Sequence, residues 1–408
     1  MSNGDAVHRG AADAKADSRP ASLLSGSGKA VDVCVIGGGL LGTATAYFAA
    51  RAGLSVVVLE ARDLASGASG AAFGGVSVGI YSYSSALVPK HYVDISKASL
   101  GLFEQIADDL GPPLDLKAPG SLDPYFDPDT HASRKERADG LVACGVDCQL
   151  LSAKEVLELE PAVNEAVVGA TYCPADAHVT PINAVWAFAK AARRHGAEIR
   201  TQSPVDEIII SDGRAIGVRI GDEKIFSGHV VNTAGADAPA LAAPIGVRIP
   251  MDCSRGQMFV TERVPRLFNT YIHNIKQTPS GTIVYGATRE SGAMDVVTTP
   301  EGTRQVNRWA CQVVPALANI AVLRSWAGIR PVPADGYPVI GPVDGVANLL
   351  VAVMHRGVTL APIVGKVLVD LIVDGKTEID IEPYRLSRFS NQDAVVTAAV
   401  EETYYAKD

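Results

Sequence analysis

The feature of this sequence that most restricts its fold is a glycine cluster, Gly37–Gly42, between the apolar run VDVCVIG and the helical run TATAYFAARAG. Gly37, Gly39 and Gly42 fit the GxGxxG pattern, which permits a tight turn, a close pyrophosphate and close packing of helix on strand. A second apolar run, SVVVLE, ends at Glu60. About 20 residues after the glycines, such an acid can accept hydrogen bonds from an adenosine ribose. The order strand, helix, strand predicts a Rossmann-type unit that binds a dinucleotide, and a chance glycine-rich turn is the alternative.

Composition limits what the rest of the chain can do. The 408 residues are 47% hydrophobic and 20% charged, which is typical of a globular chain with two or three domains. A net charge of −9 disfavours nucleic-acid binding, so an anionic substrate needs a local positive site. The sequence contains no run of about 18 apolar residues, and it therefore predicts no transmembrane span. Residues 1–30 lack a signal-peptide core and are expected to be a flexible tail.

The six cysteines are few, scattered and without paired CxxC motifs. This spacing predicts no metal site and no iron–sulfur cluster in this chain. Reduced structural thiols are the simplest interpretation, and they fit a cytoplasmic location.

A loop of small residues, ARDLASGASG, follows Glu60. Ser66 and Ser69 offer hydroxyls, and Gly70 allows a close approach, although a plain Ser/Gly loop would look the same. With this loop the sequence resembles the D-amino-acid oxidase superfamily of flavoproteins, which includes glycine and sarcosine oxidases. In that superfamily the loop wraps the pyrophosphate of FAD.

Further segments resemble the same superfamily in the same order, so that the resemblance spans about residues 31–384. They are VVNTAGA at 230–236, SRGQM at 254–258, WAGIRP at 326–331 with DGYPVIG at 335–341, and HRGVTLAP at 355–362. The opening segment DVCVIGGGLLGTATAY at 32–47 and the HxGVTLAP segment near the end resemble most the FAD-containing β subunits of certain bacterial dehydrogenases. Those dehydrogenases act on opines, proline, hydroxyproline or glycine.

The resemblance and the alternation of helices and strands together predict an α/β (α+β) chain with two discontinuous domains. A Rossmann-type FAD-binding domain is expected at 31–85, 150–240 and 326–384. A mainly antiparallel-sheet substrate domain is expected at 86–149 and 241–325, and a C-terminal arm at 385–408. Asp212-Gly213 within the apolar stretch 205–220 predicts a β-hairpin.

The resemblance implies a non-covalent FAD, since residues 340–384 contain no cysteine for covalent attachment near the last helix. The N-terminus of that helix would face the flavin. The residues expected to contact FAD are Gly37, Gly39, Leu41, Gly42, Glu60, Ala61, Ser66, Ser69, Gly70, Gly74, Gly75, Val205, Thr233, Ala234, Gly235, Gly328, Gly357, Val358, Thr359 and Leu360.

The predicted catalytic residues are Arg330, His355, Arg356 and Tyr285. Arg330 is expected to hold a substrate carboxylate with two hydrogen bonds, as its counterpart does in glycine-oxidase-like enzymes, and a structural arginine is the alternative. His355 and Arg356 could face the substrate or the surface. Arg356 departs from the related turns, which suggests a second substrate carboxylate or a subunit contact. Tyr285, like Tyr81 and Tyr83, is a candidate for the pocket wall or a core aromatic.

The function implied is an FAD-dependent oxidoreductase that converts the Cα–N bond of an amino acid, imino acid or opine to an imine. The β-subunit resemblance favours the catalytic subunit of a heteromeric dehydrogenase whose partner subunits carry an iron–sulfur centre. The alternatives are a stand-alone oxidase that produces peroxide, a flavin-bound subunit without turnover, and a nicotinamide enzyme. FMN at a subunit interface stays open. The histidine that carries FMN in some heteromeric sarcosine oxidases falls at Pro181 or Asn183 here, not at His178, which argues against covalent attachment.

Overall fold

The computed structural model describes residues 30–78 and 89–390. The predicted tail up to residue 29, Tyr81, Tyr83 and residues 391–408 of the predicted arm lie outside the described residues. The described residues form nine α-helices, which are α1 (Leu40–Arg51), α2 (Ala68–Ala71), α3 (Lys90–Leu110), α4 (His131–Ala143), α5 (Ala153–Leu159), α6 (Pro181–Arg194), α7 (Ala238–Ala242), α8 (Pro300–Val313) and α9 (Gly357–Asp374).

The same residues form nineteen strands. They are β1 (Val31–Ile36), β2 (Val56–Leu59), β3 (Gly75–Val76), β4 (Ser121–Tyr125), β5 (Gln149–Ser152), β6 (Gly169–Cys173), β7 (Ala177–His178), β8 (Glu198–Arg200), β9 (Glu207–Ser211), β10 (Arg214–Ile220), β11 (Glu223–Asn232), β12 (Ser254–Arg263), β13 (Tyr271–Ile272), β14 (Ile275–Gln277), β15 (Thr282–Gly286), β16 (Glu290–Ser291), β17 (Val322–Arg330), β18 (Val339–Pro342) and β19 (Leu349–Val353).

The predicted βαβ unit is at the centre of an eight-stranded sheet with the order β18-β19-β11-β1-β2-β8. β1 is parallel to both β2 and β11, with Val33 opposite Val56 and Ile36 opposite Asn232. The first glycine of the cluster, Gly37, has φ +107°, a conformation that only glycine adopts without strain. The Rossmann-type fold is confirmed.

Helices cover one face of this sheet, where α1 packs between α6 and α9. Their shared core contains Tyr47, Phe103 and Phe188, all fully buried. α1 and α9 touch so closely that a Cβ at Gly365 would lie 2.8 Å from the Ala44 carbonyl carbon.

The predicted hairpin is confirmed: β9 and β10 are antiparallel, and Asp212 and Gly213 both have positive φ.

A second sheet has nine strands in the order β16-β12-β15-β14-β13-β4-β6-β5, with β17 on the other side of β12. Its pairs are antiparallel except β13 with β4, so the predicted mainly antiparallel sheet is confirmed. α8 covers it through a core that includes Phe259, Tyr285 and Val306.

Sheet membership differs from the predicted domain ranges at two places. β5 and β6, and likewise β17, belong to the nine-stranded sheet, although the sequence predicts 150–240 and 326–384 to lie in the FAD-binding domain. An apolar run shows that a strand forms but not which partner its backbone hydrogen bonds will find. The other boundaries stay a prediction. No helix in the described ranges is long and apolar enough to cross a membrane.

Candidate active site

The glycine cluster and Glu60 form one compact turn at the start of α1. A Cβ at Gly42 would lie 1.9 Å from the Gly37 carbonyl oxygen, so the helix can approach the strand only with glycine there. The Glu60 carboxylate accepts the Gly38 N–H at 2.7 Å. The first turn of α1 contains no acidic residue, and the positive end of the helix dipole is therefore available to an anion.

Three further segments predicted to bind FAD meet this turn. Ser69 accepts the Leu40 N–H at 3.0 Å, which ties the small-residue loop to the start of α1. Thr233 donates its hydroxyl hydrogen to the Ile36 carbonyl at 2.7 Å. The Ser203 N–H donates to the Glu60 carbonyl at 2.9 Å, so the segment that contains Val205 passes beside the end of β2. The structure thus brings these segments, which are predicted to bind FAD, together at one end of the sheet.

A cavity of about 240 Å³ lies between the start of α9 and the nine-stranded sheet. Small residues form much of its wall, which leaves a backbone surface suited to a flat ring system. The described residues that line it are Ala68, Ala71, Ala72, Phe73, Gly74, Gly75, Gly256, Met258, His273, Asn274, Gly286, Ala287, Arg289, Trp309, Gly328, Ile329, Arg330, Pro331, His355, Arg356, Val358 and Thr359.

The described residues fit FAD, because the turn at α1 offers a cradle for a pyrophosphate and the small residues of the cavity wall leave a surface that suits a flat flavin ring. Close contacts hold the wall in place. A Cβ at Gly328 would lie 2.3 Å from the Ala71 Cβ, so β17 can reach the loop only with glycine there. Trp326 on the same strand donates its indole N–H to the Ala71 carbonyl at 3.1 Å.

Arg330 lies in the cavity wall and packs across Gly256. A Cβ at Gly256 would be 2.3 Å from the Arg330 guanidinium, so only glycine leaves room for it. Arg330 donates to the Arg255 carbonyl at 3.1 Å and forms no ion pair with any carboxylate in the described parts of the chain. Arg255, by contrast, pairs with Glu290 and Asp295. Arg330 is therefore the arginine of the two that can receive a substrate carboxylate.

His355 and Arg356 both line the cavity, at the start of α9. Arg356 donates to the Ser77 carbonyl at 2.6 Å and to the Ser77 hydroxyl at 2.7 Å, and it lies 5.9 Å from the Tyr92 ring centroid. Burial lowers the pKa of His355 well below its usual range, and the charges of Arg330, Arg356 and Arg289 lower it further. His355 is therefore neutral near pH 7.

Thr359 is fully buried and joins α9 to the loop beneath the cavity. Its hydroxyl oxygen accepts the Ser77 N–H at 3.3 Å and lies 3.4 Å from the Gly75 carbonyl. The Thr359 carbonyl accepts a hydrogen bond from Ser99 at 2.6 Å. This residue positions the start of α9 in addition to lining the cavity.

Some predicted site residues do not line this cavity. Tyr285 is in the core beneath α8, where it stacks on Phe259 and donates its hydroxyl hydrogen to Asn307 at 2.6 Å. For Tyr285 the structure favours the alternative of a core aromatic, because its strand turns this side chain away from the cavity. Leu360 is also buried in the core, whereas Ala61 is exposed beside Glu60.

Sequence reasoning missed Arg289, His273, Asn274 and Trp309. Arg289 lies four residues after Tyr285, and a charged residue so near a predicted site residue is the available signal. No local signal marks His273: its Nδ1 lies 2.7 Å from the buried Asp123, which is 150 positions away and also pairs with Arg134. That ion pair and His273 hold the pKa of Asp123 well below its usual range.

Comparison with known proteins gives the class of this chain. A family model for FAD dependent oxidoreductases (DAO) matches residues 32–371. The chain belongs to the DAO family of FAD-dependent oxidoreductases, and FAD is its cofactor.

Three relatives make the class more specific. An opine oxidase subunit of Rhizobium meliloti is 28% identical over 378 residues, which cover 89% of this chain and 99% of that protein. Glycine oxidase of Bacillus licheniformis is 28% identical over 88% of this chain and 98% of that protein. The crystal structure of L-proline dehydrogenase from P. horikoshii matches with a TM-score of 0.81 at 27% identity, and the match covers 89% of this chain and 98% of that chain. The predicted class, an FAD-dependent oxidoreductase acting on amino acids or opines, is confirmed.

Proposed function

We propose that this chain is the catalytic, FAD-containing subunit of a heteromeric dehydrogenase. It would oxidise the Cα–N bond of an amino acid, imino acid or opine to an imine. The observation that carries the proposal is Arg330, a guanidinium in the cavity wall without an ion-pair partner in the described ranges. A flavin-bound subunit without turnover would have no use for such an anchor.

Arg330, the N-terminus of α9 and His355 have separate roles in this reaction. Arg330 binds the substrate carboxylate through two hydrogen bonds and so orients the neighbouring C–H bond for oxidation. Bound FAD would supply the redox chemistry, as the acceptor of the hydride that leaves this carbon. The substrate nitrogen releases a proton to solvent, and water converts the imine to an oxo acid and an amine. The N-terminus of α9 stabilises negative charge in the cavity. His355 is neutral and therefore adds no positive charge that would compete with Arg330.

Partner subunits are part of the proposal. The opine oxidase relative is by name one subunit of an enzyme, and the match covers nearly its whole length. The partner subunits would carry the iron–sulfur centre that passes the electrons on. FMN at the subunit interface and the cytoplasmic location stay predictions. A stand-alone oxidase is the second candidate, because glycine oxidase matches over a similar length.

Anaerobic bleaching of the yellow protein by candidate amines tests the enzyme. We expect opines, imino acids or N-alkyl amino acids to bleach the flavin of the wild type. Arg330→Gln should raise the substrate concentration needed by about 10- to 100-fold, because a charge-assisted contact is lost. Arg330→Lys should recover part of the lost affinity for the substrate. Arg324→Gln, at an exposed position on the same strand, is the control.

The outcomes separate the candidates. Bleaching without peroxide in air supports the dehydrogenase, whereas rapid peroxide formation supports the stand-alone oxidase. If no amine bleaches the flavin, the chain is the subunit without turnover. If Arg330→Gln bleaches as the wild type does, Arg330 is not the anchor.

A further inference from the structure

Two buried thiols face each other at the edge of the nine-stranded sheet, apart from the residues that line the cavity. Cys148 immediately precedes the edge strand β5, and Cys173 is the last residue of its neighbour β6. Both are free thiols, and neither lines the cavity. The proposed reaction uses neither of them, so their arrangement calls for a separate explanation.

The strand register places the two cysteines directly opposite each other. β5 and β6 are antiparallel, with Gln149 opposite Tyr172. One position further along, the same register pairs Cys148 with Cys173. Opposite residues of an antiparallel pair have Cα atoms about 4.5–5.5 Å apart, which is a separation that a disulfide spans without movement of the backbone. The two thiols already form a hydrogen bond with each other.

The two thiols differ in access and in acidity. Cys148 is 7% exposed and lies between the exposed residues Asp147 and Gln149, whereas Cys173 is 1% exposed. The hydrogen bond from Cys173 lowers the pKa of Cys148, although burial opposes this effect. The same hydrogen bond, together with burial, raises the pKa of Cys173. Because the thiolate is the reactive form, the more accessible sulfur is also the one that reacts first with an oxidant.

Three of the other cysteines have the properties of unreactive structural thiols. Cys34 is fully buried in β1, where burial raises the pKa of its thiol to about 12. Burial also raises the pKa of Cys253 and of Cys311. Buried thiols in apolar surroundings are inert, so a purely structural role suits these three but not the pair of Cys148 and Cys173.

We infer that Cys148 and Cys173 are a redox-sensitive modification site, at which hydrogen peroxide converts the two thiols into a reversible disulfide. The Cys148 thiolate attacks one oxygen of the peroxide, so that an S–O bond forms, the O–O bond breaks and hydroxide leaves. The Cys173 sulfur then attacks the Cys148 sulfur, and the S–O bond breaks as the S–S bond forms. The two thiols together lose two electrons and two protons, and the peroxide is reduced to two molecules of water. A small dithiol reverses the step by exchange.

Counting thiols before and after oxidation tests the inference, which does not depend on the reaction proposed for the cavity. The reduced, FAD-loaded protein is treated with hydrogen peroxide, unfolded and titrated with a chromogenic thiol reagent. We expect the wild type to lose two of its six thiols and to regain both with dithiothreitol. Tryptic digestion without reduction should yield residues 138–154 joined to residues 155–190.

Variants assign the bond to its two sulfurs. Cys148→Ser should give no linked peptides, and Cys173→Ser should stop at a sulfenic acid on Cys148 that dimedone labels. Cys144→Ser is the matched control, because Cys144 lies in the same tryptic peptide as Cys148 and is more exposed. This control should still lose two thiols and give the linked peptides.

FAD content and the unfolding midpoint establish that each variant is folded, and Cys173→Ala replaces Cys173→Ser where the serine prevents folding. A folded wild type that keeps all six thiols in peroxide overturns the inference. So does a thiol loss that dithiothreitol fails to reverse, or a loss of the linked peptides in Cys144→Ser. Failure of the proposed function looks different, because the disulfide would form although no amine bleaches the flavin.

Discussion

At the scale of single residues, Lys276 is an unusual feature beside the cavity. Its side chain is 3% exposed, its Nζ donates to the Val179 carbonyl at 2.6 Å, and it lies 4.9 Å from the Phe73 ring centroid. Burial lowers the pKa of Lys276 from 10.5 to about 7, and Asp115 opposes this only in part. The folded protein therefore carries a group that prefers to be neutral.

This shift predicts a pH-dependent stability effect for Lys276→Met. Below pH 7 the lysine is charged in both states, and the wild type bears the full penalty of a buried ammonium. Between about 7 and 10.5 the unfolded chain binds a proton that the folded protein has released, so the wild-type free energy of unfolding rises with pH. The stability of the variant relative to the wild type should therefore be greatest near pH 6 and fall as pH rises toward 10.

Urea denaturation of both proteins at pH 6, 8 and 9.5 measures the difference. Lys190→Met, which removes an exposed ammonium from α6, is the control. A difference between Lys276→Met and the wild type that stays constant over this range would contradict the prediction.

At the scale of elements, α9 connects the two main parts of the site. Its N-terminus lines the cavity, where Thr359 contacts the backbone of Ser77 and Gly75. Its middle crosses α1, the helix that begins at the dinucleotide turn, at Gly365. A change in how these helices pack would therefore alter both ends of the candidate FAD site.

A matched pair of glycine substitutions tests this crossing. Gly365→Ala places a Cβ 2.8 Å from the Ala44 backbone, and we expect it to lower the free energy of unfolding by about 1–3 kcal/mol. Gly101→Ala in α3 meets no atom within 4 Å, and it should instead raise that free energy by about 0.5–1 kcal/mol through helix propensity. Thermal or urea unfolding of both variants gives the signs. A free energy of unfolding that Gly365→Ala leaves unchanged or raises would show that the α1–α9 crossing does not limit stability.

At the scale of the whole molecule, the residues expected to bind FAD come from stretches far apart in the chain. The turn at Gly37–Gly42, the residues after β11 and the start of α9 meet only in the folded protein. A ligand that binds the folded state alone stabilises it according to its concentration relative to Kd.

FAD should therefore raise the unfolding midpoint of the protein prepared without cofactor. At 100 times its Kd the expected gain is about 2.7 kcal/mol. FMN, which lacks the adenosine, should give a smaller shift. Glu60→Gln should reduce the shift with FAD but not with FMN, because the Glu60 carboxylate supports Gly38 and would meet the ribose. Equal shifts with FAD and FMN would show that the turn contributes nothing to binding.

The sequence by itself determined the features whose physics is local. Gly37, Gly42 and Glu60 specify the dinucleotide turn, because a short strand–turn–helix has few solutions that accept those residues. Asp212-Gly213 specifies a hairpin for the same reason. The order of motifs was enough to predict an FAD domain with a second, mainly antiparallel sheet, and Arg330 as a candidate anchor.

Only the tertiary structure decided which distant groups meet. It assigned β17 to the second sheet, put Tyr285 in the core and brought His273 to Asp123. It also placed Arg289 with Arg330 in the lining of one cavity. Strand pairing and register are set by contacts between residues far apart in the chain, and a shift of one residue turns a side chain to the opposite face. No local pattern carries that information, and so the set of charged residues that lines the cavity follows from the fold.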